Sequence, residues 1–93
     1  MLLLSSQSYG LSAVTKDNYV ACKSIAWLND MTAFRQRNDM ASFQAYLSAR
    51  KCIVLVKGRR VAISEAPGIY GSKTGFVLNG IKYWALREAL DYD

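Results

Sequence analysis

Halfway along the chain the spacing of apolar residues changes, and no other feature constrains the fold as strongly. Up to about residue 51 the large apolar residues fall at helical intervals. From Cys52 onward they run in continuous or alternating stretches, which suit a pleated sheet. The chain therefore has to join a helical unit to a sheet. With 93 residues it has room for one domain with one modest core, spanning 1–93.

In the first half, Val20, Trp27, Leu28, Met31 and Phe34 share one helical face. The spacing predicts a helix over 17–35, N-capped by Thr15, with a weak point at Asn29-Asp30. Asn38 or Asp39 starts a second helix, with Met40, Phe43, Tyr46 and Leu47 inward and Ser42, Gln44, Ser48, Arg50 and Lys51 in water. The short link between the two predicts a helical pair. Leu2 to Ser6 offers a short strand, and Ser5 to Ser12 a loop.

In the second half, Cys52 to Val56 is a continuous apolar run, expected as a strand covered on both faces. Lys57-Gly58 is expected to turn it into a hairpin with Arg59 to Ser64. Asn79-Gly80 sits between the apolar runs Phe76–Leu78 and Ile81–Trp84. That pair favours a type I′ hairpin, because both central positions need positive φ. Ile69 and Tyr70 are expected as a short edge strand. Ala85 to Leu90 consists of helix formers and is expected to close the chain as a short helix. The predicted class is α+β: an N-terminal helical pair, a small antiparallel sheet of two hairpins, and a short C-terminal helix. Its expected core is Leu28, Met31, Phe43, Leu47, Ile53, Leu55, Val61, Ile63, Val77, Ile81 and Leu86.

There is no histidine, which excludes Ser-His and Cys-His nucleophile pairs and histidine metal sites. The two cysteines lie 30 positions apart, too few for a zinc site. Both sit in apolar runs and are expected as buried thiols in a reducing compartment, although one disulfide stays open. The seven acids are scattered, no phosphate-cradling glycine motif is present, and no cofactor is expected. No apolar run is long enough to span a membrane, and the opening residues are no secretory signal. These features lead to an expectation of a cytoplasmic protein that uses no membrane and catalyses no reaction.

Gly68-Ile69-Tyr70 followed by Tyr83-Trp84-Ala85 resembles the opening of the GIY-YIG nucleases. The second triplet departs from that family at two of its three positions. Arg87 comes too early to match its catalytic arginine, and no glutamate stands at the distance of its metal ligand. The likeness is set aside.

Positive charge carries the remaining signal. Arg35, Arg37, Arg50, Lys51, Lys57, Arg59 and Arg60 face only Asp39 between residues 35 and 60, while the rest of the chain is close to neutral. Each cation also has an ordinary structural reason: helix C-termini favour cations, and basic edges resist strand-to-strand aggregation. Two helices followed by a basic hairpin resemble the layout of winged helix-turn-helix proteins. That layout implies Ser42, Gln44 and Ser48 near bases and the hairpin on phosphates. The leading expectation is a binding module for nucleic acid, DNA or RNA, through these seven cations with Tyr70, Lys73, Lys82 and Tyr83. The alternative is an inhibitor or adaptor of phage or mobile-element type, which would dock on an acidic or nucleic-acid-binding protein surface. A homodimer is permitted.

Overall fold

The computed structural model describes residues 11–92, with backbone alone at positions 67, 69 and 70. The strand expected over Leu2–Ser6, and most of the loop after it, lie outside the described residues. Among the described residues seven strands form one antiparallel sheet in the order β3-β2-β6-β5-β4-β1-β7. They are β1 (Ser12–Thr15), β2 (Val20–Cys22), β3 (Cys52–Val54), β4 (Arg60–Tyr70), β5 (Lys73–Leu78), β6 (Ile81–Leu86) and β7 (Leu90–Tyr92). Helices α1 (Ile25–Gln36) and α2 (Met40–Ser48) come between β2 and β3.

This overturns the expected arrangement at three places. First, the helices are mid-chain. Val20-Ala21-Cys22 is a strand paired with Val54-Ile53-Cys52, and α1 begins only after Ser24, whose hydroxyl accepts the Trp27 N–H at 3.1 Å. Thr15 is no cap: its hydroxyl donates to the Val56 carbonyl at 2.5 Å and accepts the Arg59 N–H at 2.9 Å.

Second, β3 and β4 do not pair with each other. Residues 12–15 pair with 60–62, and residues 20–22 pair with 52–54. Between Val14↔Arg60 and Val20↔Val54 both segments advance by six residues, so the two ladders share one register. Residues 12–22 and 52–62 thus form one bent ribbon, and Lys57-Gly58 is its elbow, with Gly58 at φ 91°. Asp17 holds the elbow by accepting the Lys57 N–H at 2.6 Å.

Third, there is no C-terminal helix. Ala85 and Leu86 pair with Thr74 and Lys73, Arg87–Ala89 is a single 3₁₀ turn, and Leu90–Tyr92 returns as β7 beside β1. Ladder bonds and burial of Ala85 and Ala89 outweigh the helix preference of these residues. Ile69 and Tyr70 end β4, an interior strand.

The Asn79-Gly80 hairpin forms as expected, with φ of 54° and 78° and Leu78 opposite Ile81. The ends of α1 and α2 share one device. Asn38 and Arg50 adopt positive φ, and the next residue's N–H bonds back to the Phe34 or Tyr46 carbonyl respectively. Asp39 closes α1 in this way and then N-caps α2, accepting the Ser42 N–H at 3.1 Å.

Alternation along the strands makes two cores. Ala13, Ala21, Leu55, Val61, Phe76, Leu78, Tyr83, Ala85, Ala89 and Leu90 fill the inner face of the curled sheet. Ala13 and Ala21, from strands near opposite ends of the sheet, meet the same core, so the sheet wraps around it. Four fully buried alanines let the backbones close in tightly. On the outer face Val20, Cys22 and Cys52 meet Leu28, Met31 and Phe43 of the helices. Of the expected core, Val77 turns to the opposite face from Phe76. Ile81 lies past the end of the inner core and is 41% exposed.

Cys22 and Cys52 are directly opposite one another and joined as a disulfide under the helical pair, which corrects the expectation of two free thiols. Among the described residues no helix is long and apolar enough to cross a membrane.

Candidate functional site: a valine ridge with a cationic rim

The expected basic cluster divides into three groups. Arg35 and Arg37 end α1: Arg35 lies 5.8 Å over the Phe43 ring, Arg37 lies 5.6 Å over Phe34, and Arg37 also meets the Asp39 carboxylate at 3.8 Å. Arg50 and Lys51 follow α2, at the far end of the helical pair. Lys51 sits 4.5 Å over Tyr46 and 5.1 Å over Trp27, so its charge is spent on these rings. Lys57, Arg59 and Arg60 belong to the elbow and the start of β4. Arg59 donates to Asn79 Oδ1 at 3.1 Å, tying the elbow to the Asn-Gly turn, and Arg60 donates to the Ser12 hydroxyl at 3.3 Å.

The other expected site residues scatter. Tyr83 is buried, tilted against Phe76 at 6.1 Å, and belongs to the inner core. Lys82 is ion-paired with Glu65 and lies 4.7 Å over Trp84. Lys73 is half-buried at the start of β5, opposite Leu86. Tyr70 ends β4 opposite Lys73, and its side chain lies outside the described residues. The winged layout does not form, because the basic segment is an elbow inside the sheet and not a free hairpin.

What the fold does bring together is Arg35 from the first group and Arg59 from the third, on either side of β3. A groove of about 290 Å³ runs along the helix side of β3, between Val54, Val20, Asn18, Met40, Phe43 and Arg35. A cleft of about 340 Å³ opens on its other side, with Leu55, Val56, Leu78 and Tyr83 as walls and Arg59 and Asn79 at its edge. Val54 lines both, so β3 stands as a ridge between them. Val54, Val56 and Met40 are 47%, 57% and 50% exposed, three of the six exposed large apolar side chains among the described residues.

The sequence placed Met40 and the Cys52–Val56 run in the covered interior. An apolar run gives no sign of which of its residues will sit on an uncovered edge. The charges flanking it, Arg50-Lys51 before and Lys57 after, were the available signal.

The groups with shifted acidities lie outside both grooves. Hydrogen bonds from the Ser42 hydroxyl and backbone lower the Asp39 pKa, with Arg37 adding a smaller pull. Hydrogen bonds from Lys82 and then Ser64 lower that of Glu65. Donation to Asp30 at 2.7 Å raises that of Tyr46. Among the described residues no three His, Cys, Asp or Glu side chains group as metal ligands. The site thus offers apolar contact, cations and amide groups. Comparison with protein families, curated proteins and solved structures finds no match.

Proposed function

We propose that this chain is a non-enzymatic binding module that docks an acidic protein segment on the β3 ridge. The observation that carries the reading is the coincidence of an exposed valine pair with two grooves, each edged by one arginine. An apolar centre with an arginine-bearing rim is the pattern of protein interfaces. Surfaces that take single-stranded nucleic acid add exposed aromatic platforms, and the exposed apolar residues of the ridge, Val54, Val56 and Met40, carry no ring. Partial burial of each valine is worth about 1 kcal/mol, roughly half the value of full burial. The rim cations add on-rate and selectivity more than affinity.

The cytoplasm expected from the sequence and the Cys22–Cys52 bond point to different redox settings. The bond is the more direct observation, and we place the working form in an oxidising one.

The test is fluorescence anisotropy with three labelled probes: an unstructured peptide of alternating glutamate and valine, duplex DNA and single-stranded RNA. Wild type is compared with Arg35→Glu/Arg59→Glu at two salt concentrations. The reading expects peptide binding that falls at least tenfold in the variant, with weak nucleic-acid binding. Tight DNA or RNA binding with a log-log salt slope of several units would favour the nucleic-acid expectation instead.

A further inference from the structure

We propose that β3 is a docking strand, and that the partner is an acidic extended segment added to the sheet beside it. This rests on the reading of the ridge as an acidic-protein site and adds the mode of binding. The argument begins with the ladder. Leu55 N–H bonds to the Tyr19 carbonyl at 2.7 Å, and Lys23 N–H bonds to the Lys51 carbonyl at 2.9 Å. In an antiparallel pair the bonded positions alternate, so 51, 53 and 55 face β2. Cys52 and Val54 then point their N–H and C=O groups away from β2. They point to the side where the sheet ends among the described residues, β3 being the terminal strand there.

A strand laid along those groups would send its side chains alternately to the two faces of the sheet. One row enters the helix-side groove beside Met40, Phe43 and Arg35. The other enters the cleft beside Leu55, Leu78 and Arg59. Both rows thus meet an apolar floor with one guanidinium at its edge. A segment mixing aliphatic with acidic residues satisfies both. This is strand addition, in which main-chain bonds give affinity and alternate pockets give selectivity.

Charge decides the occupant. Arg50 and Lys51 precede β3 while Lys57 and Arg59 follow it, so a second copy pairing β3 with β3 in either direction would bring cationic strand ends together, which like-charge repulsion opposes. An acidic segment meets them favourably. The edge that the described residues leave unpaired is only three residues long, so the added strand is short and the affinity expected is micromolar.

The experiment is selection of a random dodecapeptide display library on the immobilised full chain, followed by amide hydrogen exchange with the selected peptide. The expected result is enrichment of aliphatic-acidic sequences, and slowing of Val54 N–H exchange at least tenfold by the peptide. Val54→Pro, which removes the outward N–H at a sheet edge where proline is tolerated, should weaken binding at least tenfold. Exchange at Phe76 reports whether that variant folds. If it does not fold, Arg59→Glu supplies the second arm and should show the same loss. Acidic peptides that bind without slowing Val54 exchange overturn strand addition and leave the acidic-segment reading standing. Enrichment of no acidic peptide overturns both. Slowing of Val54 that grows with protein concentration in the absence of peptide assigns the edge to a second copy and overturns the proposal.

Discussion

Replacing Cys22 and Cys52 together by alanine should cost about 3.6 kcal/mol. The bond joins residues 30 positions apart, and both helices lie inside the loop it closes. The chain-entropy relation for a loop of that length gives about 12 cal/mol/K, or about 3.6 kcal/mol at 25 °C. For a chain of 93 residues the unfolding entropy near the midpoint is about 0.2 kcal/mol/K, so Tm should fall by roughly 18 °C. Both sulfurs are buried between β2, β3 and the helices, so the truncation also leaves unfilled space, which adds to the loss. The assay is thermal unfolding by circular dichroism, with and without reductant. Wild type in reductant should approach the variant, and the variant should be indifferent to it. Wild type and variant melting within 2 °C of each other would refute the reasoning. So would two thiols open to alkylation in the unreduced, unfolded wild type.

Arg50 sits at φ 61° where the helix end favours glycine. Arg50→Gly should therefore raise stability by about 0.5–1 kcal/mol in urea titration, with no change in m. Phe76 is fully buried at the centre of the inner core, and Phe76→Ala should cost about 3–5 kcal/mol in the same assay. Acid should destabilise the protein partly through Glu65, whose folded pKa lies below its ordinary 4.5. The stabilisation is present above that value and fades as pH falls through the lowered one, so Glu65→Gln should flatten that part of the stability-against-pH curve.

Local rules were legible where they act alone. Asn79-Gly80 fixed a two-residue turn because positive φ at both positions admits few alternatives. A cap at Asn38 or Asp39 was legible from the side-chain acceptors there, and it is Asp39 that accepts the Ser42 N–H. Long-range pairing was not legible. Val20 fits the helical spacing of Trp27 to Phe34 because it meets the same core as Leu28 and Met31, but it does so from a strand. Lys57-Gly58 does turn the chain, and nothing local distinguishes an elbow in a ribbon from a hairpin tip. Ala85 to Leu90 carries helix preference worth tenths of a kcal/mol per residue, which ladder bonds to β5 and burial override. The candidate site followed the same division. The cations were readable as residues, but aromatic stacking holds Lys51, an ion pair holds Lys82 and the inner core takes Tyr83. The valine ridge exists because β3 ends the sheet of the described residues.

The most direct test of the central claim is an amide chemical-shift map of the ¹⁵N-labelled chain, titrated in parallel with the glutamate-valine peptide and with duplex DNA. The account predicts that the peptide shifts residues around Asn18, Arg35, Val54 to Arg59 and Asn79, and that DNA at equal concentration does not. Shifts produced by DNA over the same residues, or peptide shifts confined to other surfaces, would contradict it.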